Sequence, residues 1–365
     1  MGHVPMTQFT YPACRRAAVL SDFGEADKLS IRELPMPTFR SDEMLVRVKA
    51  TSVNPIEWKM RRGLGLPKPV WRLLIGRPMI LGIDFSGTVA AVGSDVIGYQ
   101  VGDDVMGAFR LWGADAEYVV VRLRSRHTAV ALKPPAVSYA EAGAVSFAGL
   151  LAFAGMSTHG KLATTANARV LVIGASGGVG HLAIQIAKHA MGAAFAVGVC
   201  SSKNEQFVRQ CGADEVIAYD RTPIESMLGE YPEWKGSFDL IFDAVGLDML
   251  WTVLSPRLLS RAGRFIAAAA PQLPDGRAGE ELGINAGLAT LVRFALRRLG
   301  GRYRFVNGMV DDVFADRAYS SLVQWIAEGK VVTKLTASYP LDQLAEAHRA
   351  SETGRTVGKI SVVIP

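Results

Sequence analysis

The sequence predicts an α/β protein of two domains, a parallel sheet covered by helices on both faces joined to a β-rich domain. Three observations carry the prediction. The texture of the chain changes near residue 140, a glycine-rich turn sits between a strand and a helix, and the closing segment resembles the first domain more than the second. At 365 residues the chain is long enough for two cores. Before residue 140 the apolar pieces are short and broken by Gly and Pro, as in "MLVRVKATSV", "FSGTVAAVG" and "AEYVVV", and alternate with period two. From 140 to about 315 strands and helices alternate: "VLVIG", "HLAIQIAKHAM", "AFAVGVC", "KNEQFVRQCG", "EVIAY", "FDLIFDAVG", "GRFIAAAA". That is the pattern of βαβ units. After 315, "YSSLVQWIAEGKVV" reads as a helix and "GKISVVI" as a strand returning to the first domain.

Composition narrows the function classes. Hydrophobic residues at 49% and charged residues at 20% describe a folded chain, not a disordered one. No apolar run is expected to reach the roughly 18 residues that span a bilayer. The N-terminal "MGHVPMTQFTYPACRR" lacks the apolar core of a secretory signal, and only Arg15 and Arg16 support a mitochondrial presequence. Cys14, Cys200 and Cys211 are an odd, sparse set, which argues against a disulfide framework and for a reducing, cytoplasmic setting. The net charge of +6 comes without a Lys/Arg block, so it reads as a basic surface suited to phosphate-bearing cofactors, not to nucleic acid.

The chemistry starts at "RVLVIGASGGVGHLAIQIAK", residues 169–188. Ala175-Ser176-Gly177-Gly178-Val179-Gly180 departs from G-x-G-x-x-G at its first position, where Ala175 stands. Gly177 lets the backbone approach a pyrophosphate, and Gly180 lets the helix pack on the sheet. Val179, Leu182, Ala183, Ile186 and Ala190 follow one helix face. With a strand before it, a helix after it and a second strand at 195–200, the turn reads as a dinucleotide cradle, not a plain connection. At the end of that second strand an NAD site usually carries an acid for the ribose. Here Ser201, Ser202, Lys203 and Asn204 come first, with no carboxylate until Glu205. Ser201, Ser202 and Lys203 suit the 2′-phosphate of NADPH; the alternative is a helix cap by either serine beside a solvated Lys203.

In order along the chain, "ATSVNPIEWKMRRG", "LGIDFSGTVAAVG", "VGDDVMG", "AEYVVV", "GASGGVG", "FDAVG" and "GKISVVI" resemble the medium-chain dehydrogenase/reductase superfamily. The likeness is to its zinc-independent quinone oxidoreductase branch, including the reticulon-4-interacting-protein-like NADPH oxidoreductases, and covers nearly the whole chain after residue 14. It implies a Rossmann dinucleotide-binding domain over 140–315, a GroES-like catalytic domain from 1–139 and 316–365, and a homodimer. It also implies that Tyr219 meets the 2′-phosphate and that the backbone at Val245 and Ala268 meets the ribose. Asn54 would bond the cofactor ribose or the substrate oxygen. Lys59, similar in position to a tyrosine of some relatives, would donate a hydrogen bond or proton, with Glu57 positioning it. The plainer alternatives are a solvent-facing Lys59, a half-buried strand Tyr219 and a strand-end turn at 243–246.

In zinc-dependent relatives a Cys, a His-Glu pair and a further Cys or acid surround the metal, and the matching positions here are Asn54, Ile83-Asp84 and Phe147. A catalytic zinc needs about three N, S or O ligands plus an open position. Asn54 and Phe147 are not such ligands, the four-cysteine lobe is missing, and His181 and His189 are expected on a helix surface, so no metal is expected. Without a Lewis acid, a conjugated acceptor suits the chain best, because the incoming charge spreads over an enolate that one or two donors can hold. The expectation is an NADPH-dependent reductase of a small hydrophobic quinone or α,β-unsaturated carbonyl. The alternatives are an enoyl-thioester reductase or tailoring enzyme on a polyketide or lipid, and a non-catalytic NADPH-binding interaction protein. Two basic-flanked apolar segments bear on substrate size. One holds Trp71, Leu73, Leu74 and Ile75 among Lys68, Arg72 and Arg77. The other, residues 288–305, holds Leu291, Phe294, Ala295 and Leu299 among Arg293, Arg297, Arg298, Arg302 and Arg304. They form the mouth of a pocket for a bulky acceptor or rest on a membrane surface; otherwise the first is a packed loop and the second a dimer contact.

Overall fold

The computed structural model describes residues 11–64, 68–110, 112–123, 125–223, 226, 230–246, 248–269, 301–306, 314 and 316–365. Most of the second basic-flanked segment, including Leu291, Phe294, Ala295 and Leu299, lies outside the described residues.

A six-stranded, wholly parallel sheet runs in the order Glu215–Ala218, Phe195–Cys200, Arg169–Ile173, Phe238–Asp243, Leu259–Ala267, Tyr303–Phe305. From Arg169–Ile173 the chain moves outward one way for two strands and then returns to the other side. The order therefore reverses between Arg169–Ile173 and Phe238–Asp243, the kind of switch point at whose carboxyl end open α/β sheets bind nucleotides. Val170, Leu171 and Val172 are fully buried, as a strand covered on both faces requires.

A second sheet of seven strands runs Leu335–Pro340, Lys359–Val363, Glu43–Val53, Asp84–Val92, Asp104–Phe109, Thr128–Leu132, with Tyr118–Arg122 also paired to Glu43–Val53. The closing strand Lys359–Val363 pairs antiparallel with Glu43–Val53. The last residues of the chain therefore stand in the sheet built by the first. A two-stranded ribbon, Cys14–Leu20 with Leu29–Pro35, completes the β structure of the N-terminal part.

The helix Tyr139–Phe153 joins the two sheets. Ser138 caps it, and every residue from Ala142 to Ala152 is buried, so it has no polar face. A Cβ on Gly143 would stand 2.6 Å from the Ala50 carbonyl oxygen, and one on Gly155 2.1 Å from the Phe242 ring, so the helical segment touches both sheets. The expectation that no apolar run is long enough to span a bilayer needs correction. The helical stretch Tyr139–Thr164 meets that test, but 83% of its most apolar window is buried inside the protein, and its apolar surface belongs to the core between the sheets.

The first basic-flanked segment is a helix, Lys68–Ile75, not a loop. Trp71 is its buried anchor: its indole N–H donates to Leu64 O at 2.9 Å and its ring meets Trp112 edge-on at 5.7 Å. Trp71 is therefore a core residue and not part of a pocket mouth. The solvent side of this helix is Val70, Leu73 and Leu74, with Leu73 83% exposed.

Candidate active site

The glycine turn is built where the sheet reverses. Gly174, at φ 75°, supplies the sharp turn that Ala175 does not, one position earlier than the motif suggests. The N–H groups of Gly174 and Ala175 both donate to Val199 O, at 3.0 and 2.9 Å, pinning the turn to the next strand. A Cβ on Gly180 would stand 2.0 Å from Gly174 O, so only glycine lets the helix approach. A Cβ on Gly177 would meet only Gly174 O, at 3.3 Å, so the space over the turn is open, as a pyrophosphate needs. The helix beyond is not one-faced: Gly180 to Ala187 are all buried. His181 is among them, against the expectation of a surface residue, while His189 is exposed. The His181 ring braces the turn from beneath. Nε2 accepts from the Lys334 N–H at 3.3 Å, so Nδ1 carries the hydrogen and donates to Gly177 O at 2.8 Å. Burial pushes its pKa down to about 4, which keeps it neutral under the turn.

At the adenosine end, Asn204 Nδ2 donates to Ser176 Oγ at 3.2 Å and to Ser201 Oγ at 3.0 Å, tying the glycine turn to the end of Phe195–Cys200. Ser176 O accepts from the Gly358 N–H at 2.8 Å. Lys203 and Tyr219 are exposed beside this strand end. One expectation fails here. A carboxylate does stand at the strand end: Ser202 N–H and Oγ–H donate to Asp220, at 2.8 and 2.9 Å. It arrives from the neighbouring strand, Glu215–Ala218, because parallel neighbours end side by side. At the switch point itself, Asp243 is buried and accepts from Val245 N–H and Gly246 N–H at 2.8 and 2.9 Å. Burial pushes its carboxyl pKa up to about 6. Ala268 N–H donates to Asp243 O at 2.8 Å, so the N–H groups of Val245 and Ala268 already serve the fold.

Facing the turn is a buried polar cluster on Pro55–Arg61 and its neighbours. Asn54 starts that helix, and its two side-chain N–H bonds go to Glu57 Oε1 at 3.1 Å and Asp84 Oδ2 at 2.9 Å. Asn54 is thus not a free donor to substrate or ribose, contrary to expectation; it is the hub of the cluster. Glu57 does not position Lys59 either. It is fully buried and accepts from Asn54 N–H at 3.0 Å and Ile83 N–H at 3.1 Å. Burial, then the nearby Asp115, raises its carboxyl well above the usual range. Asp115 is pushed up to about 7 by burial and has one long bond, 3.4 Å from Thr51 Oγ. Three N–H groups hold Glu57, while Asp115 Oδ2 has no hydrogen-bond partner among the described residues.

Sequence reading missed Lys359, which completes the cluster. Its stem passes Gly178, where a Cβ would stand 3.2 Å from Lys359 Cδ, and its ammonium donates to Asn54 Oδ1 at 2.5 Å. The same nitrogen lies 3.6 Å from Asp84 Oδ2. Asp84 also accepts from Ser52 Oγ–H at 2.7 Å and from Phe147 N–H at 2.6 Å. One cation therefore links the glycine turn to Asn54 and Asp84. Its sequence signal is a lysine at the head of a closing strand in which Ser361 is the other polar residue. Lys59 lies half-buried at the side of this cluster, its ammonium 5.5 Å from the centre of the Trp58 ring. Burial lowers its pKa.

Zinc does not fit this cluster. The positions matched to metal ligands hold an amide, an isoleucine and a phenylalanine, and Asp84 is already saturated by Asn54, Ser52, Phe147 and Lys359. Among the described residues no group of three or more His, Cys, Asp or Glu is placed to hold a metal. A nicotinamide dinucleotide does fit: the turn is open over Gly177, as a pyrophosphate needs, and Ser201, Lys203 and Tyr219 lie just past the ends of Phe195–Cys200 and Glu215–Ala218. A separate concave region of about 700 Å³, lined by Ile97, Tyr99, Arg122 and His127 among others, contains none of these residues.

Comparison with known proteins agrees with the geometry. Residues 40–134 match the alcohol dehydrogenase GroES-like domain, and residues 211–362 match the zinc-binding dehydrogenase family. The zebrafish (Danio rerio) mitochondrial NAD(P)H oxidoreductase RTN4IP1 is 31% identical over 98% of this chain and 94% of its own length. The spinach (Spinacia oleracea) chloroplastic quinone-oxidoreductase homolog is 29% identical over 93% of this chain and 95% of its own. The quinone oxidoreductase of Coxiella burnetii superposes with a TM-score of 0.77 at 25% identity, covering 96% of this chain and all (100%) of that one. The chain belongs to the medium-chain dehydrogenase/reductase family, in its quinone oxidoreductase-like branch.

Proposed function

We propose that this protein is a metal-independent reductase that passes hydride from NADPH to a quinone or to the C=C bond of an α,β-unsaturated carbonyl. The observation that carries the reading is Lys359, whose stem lies on the glycine turn and whose ammonium fills the polar cluster where zinc relatives place their metal. NADPH, when bound, supplies the hydride. The glycine turn orients the pyrophosphate, with His181 holding the turn rigid from below. Ser201, Lys203 and Tyr219 favour NADPH by meeting the 2′-phosphate. Lys59 donates a proton or hydrogen bond to the oxygen on which negative charge develops, and its lowered pKa supports that role. The buried cluster fixes the wall that the acceptor lies against and keeps water from it. A conjugated acceptor needs no more electrostatic help than this, whereas a simple ketone needs a Lewis acid.

The exposed apolar side of Lys68–Ile75, flanked by Lys68 and Arg77, supports delivery of a bulky hydrophobic acceptor or contact with a membrane surface. The test is NADPH oxidation with 1,4-quinones, simple enones, enoyl thioesters and simple ketones under identical conditions. Fast turnover of quinones or enones is expected. Turnover confined to enoyl thioesters points to a lipid or polyketide reductase, and no oxidation with any acceptor, despite cofactor binding, points to a non-catalytic NADPH-binding protein.

A further inference from the structure

The carboxylate at the adenosine end was not visible along the sequence, because it stands 18 positions beyond the serine it meets. In space it takes both donors of Ser202, the backbone N–H at Oδ1 and the hydroxyl at Oδ2. These are donors that a 2′-phosphate would otherwise use. A phosphate approaching Ser202 and Lys203 therefore meets a like charge, and the donors beside it are already engaged. Arg221 is paired to Glu205 at 2.9 Å and acts on Asp220 only as a nearby positive charge, the last of the causes that lower its pKa, so the carboxylate keeps its charge. A ribose hydroxyl fares differently, because it can donate to the same carboxylate. In NAD sites an acid at the end of the second strand does this work. Here the end of the third strand brings one to the same place.

We propose that Asp220 is a specificity-determining residue of the adenosine end: it lowers the advantage of NADPH over NADH and gives NADH a ribose acceptor of its own. The proposal rests on the cofactor reading above. Asp220→Asn removes the charge but keeps an oxygen for the Ser202 N–H, so the local turn survives.

The experiment measures dissociation constants of NADPH, NADH, 2′,5′-ADP and ADP by calorimetry, for the unchanged protein, Asp220→Asn and Lys203→Ala. Asp220→Asn is expected to raise the NADPH-over-NADH and 2′,5′-ADP-over-ADP preferences by about three- to tenfold, less at high salt. Asp220→Ala is the second variant if the first does not fold, and the same direction is expected. A preference that stays within twofold of the parent's overturns the proposal and leaves Asp220 as a cap on the turn. Lys203→Ala judges the cofactor reading separately: selective weakening of NADPH supports it, and equal weakening of both cofactors contradicts it whatever Asp220 does.

Discussion

Replacing Lys359 by Met keeps the apolar stem that lies on Gly178 and deletes the ammonium. The pair it breaks is buried on both sides, with Lys359 and Asp84 side chains 4% and 0% exposed and 3.6 Å apart. At an effective dielectric of about 20 the gross attraction at that distance is about 4–5 kcal/mol. Removing one partner of a buried pair typically costs about 3–5 kcal/mol, because the other charge stays buried. Asp84 keeps three donors, from Ser52, Asn54 and Phe147, which places the expected loss at the lower end, about 3 kcal/mol. Urea denaturation followed by tryptophan fluorescence measures it. The double variant Lys359→Met/Asp84→Asn no longer buries an uncompensated charge and should recover at least half of the loss. A loss below about 1 kcal/mol, the size of an exposed pair, refutes the reasoning. So does a double variant no more stable than the single.

Four further outcomes follow from the same geometry. Lys59→Ala should lower turnover by about 10²-fold while leaving the NADPH dissociation constant within twofold, as steady-state rates and fluorescence titration would show; a near-normal rate assigns the proton to water. Gly177→Ala, with a single tight contact at 3.3 Å to Gly174 O, needs only a small shift and should melt close to the parent yet bind NADPH weakly, whereas Gly180→Ala, with its Cβ 2.0 Å from Gly174 O, should fail to fold the turn. Trp71→Ala should cost about 3–5 kcal/mol of stability, and Leu73→Ser almost none while reducing any preference for bulky acceptors. His348 is buried, its ring nitrogens have no hydrogen-bond partner among the described residues, and burial and then Arg61 lower its pKa to about 3. It stays neutral when folded, so its contribution is intact above the unfolded value of 6.5 and is lost as pH falls toward 3. His348→Leu should therefore gain on the parent by about 2 kcal/mol between pH 6.5 and 5, and a pH-independent difference would contradict this.

What could be read from the sequence was what neighbours in the chain decide. The glycine turn, the strand before it and the helix after it lie within twenty residues, and their spacing alone specifies a cradle. The two textures of the chain were equally local, and so was the return of "GKISVVI" to a β-rich domain. What escaped reading depends on long-range placement. Lys359 meets Asn54 across 305 positions, and nothing near either residue announces the pair. Asp220 reaches Ser202 only because two parallel strands end together. His181 sits in an apolar helical run and looks like a surface interruption, yet that helix is covered on all sides and the ring finds a carbonyl and an amide. The family resemblance makes Asn54 a donor, but its hydrogens are consumed by two acids that the fold gathers around it. In sequence Trp71 groups with its apolar neighbours, and only the three-dimensional helix separates the buried indole from the exposed Leu73.

What sets the proposed reaction apart is hydride transfer to a conjugated acceptor without a metal. The direct measurement is transfer of deuterium from NADPH labelled at the 4-position, in each of its two stereoisomers, to an enone or enoyl carbonyl by chelator-treated protein. Product is analysed by NMR. One isomer is expected to deliver its label to the β-carbon of the product, at a rate that neither chelation nor added zinc changes. Label that never reaches carbon, or transfer that stops on chelation and returns with zinc, would contradict it.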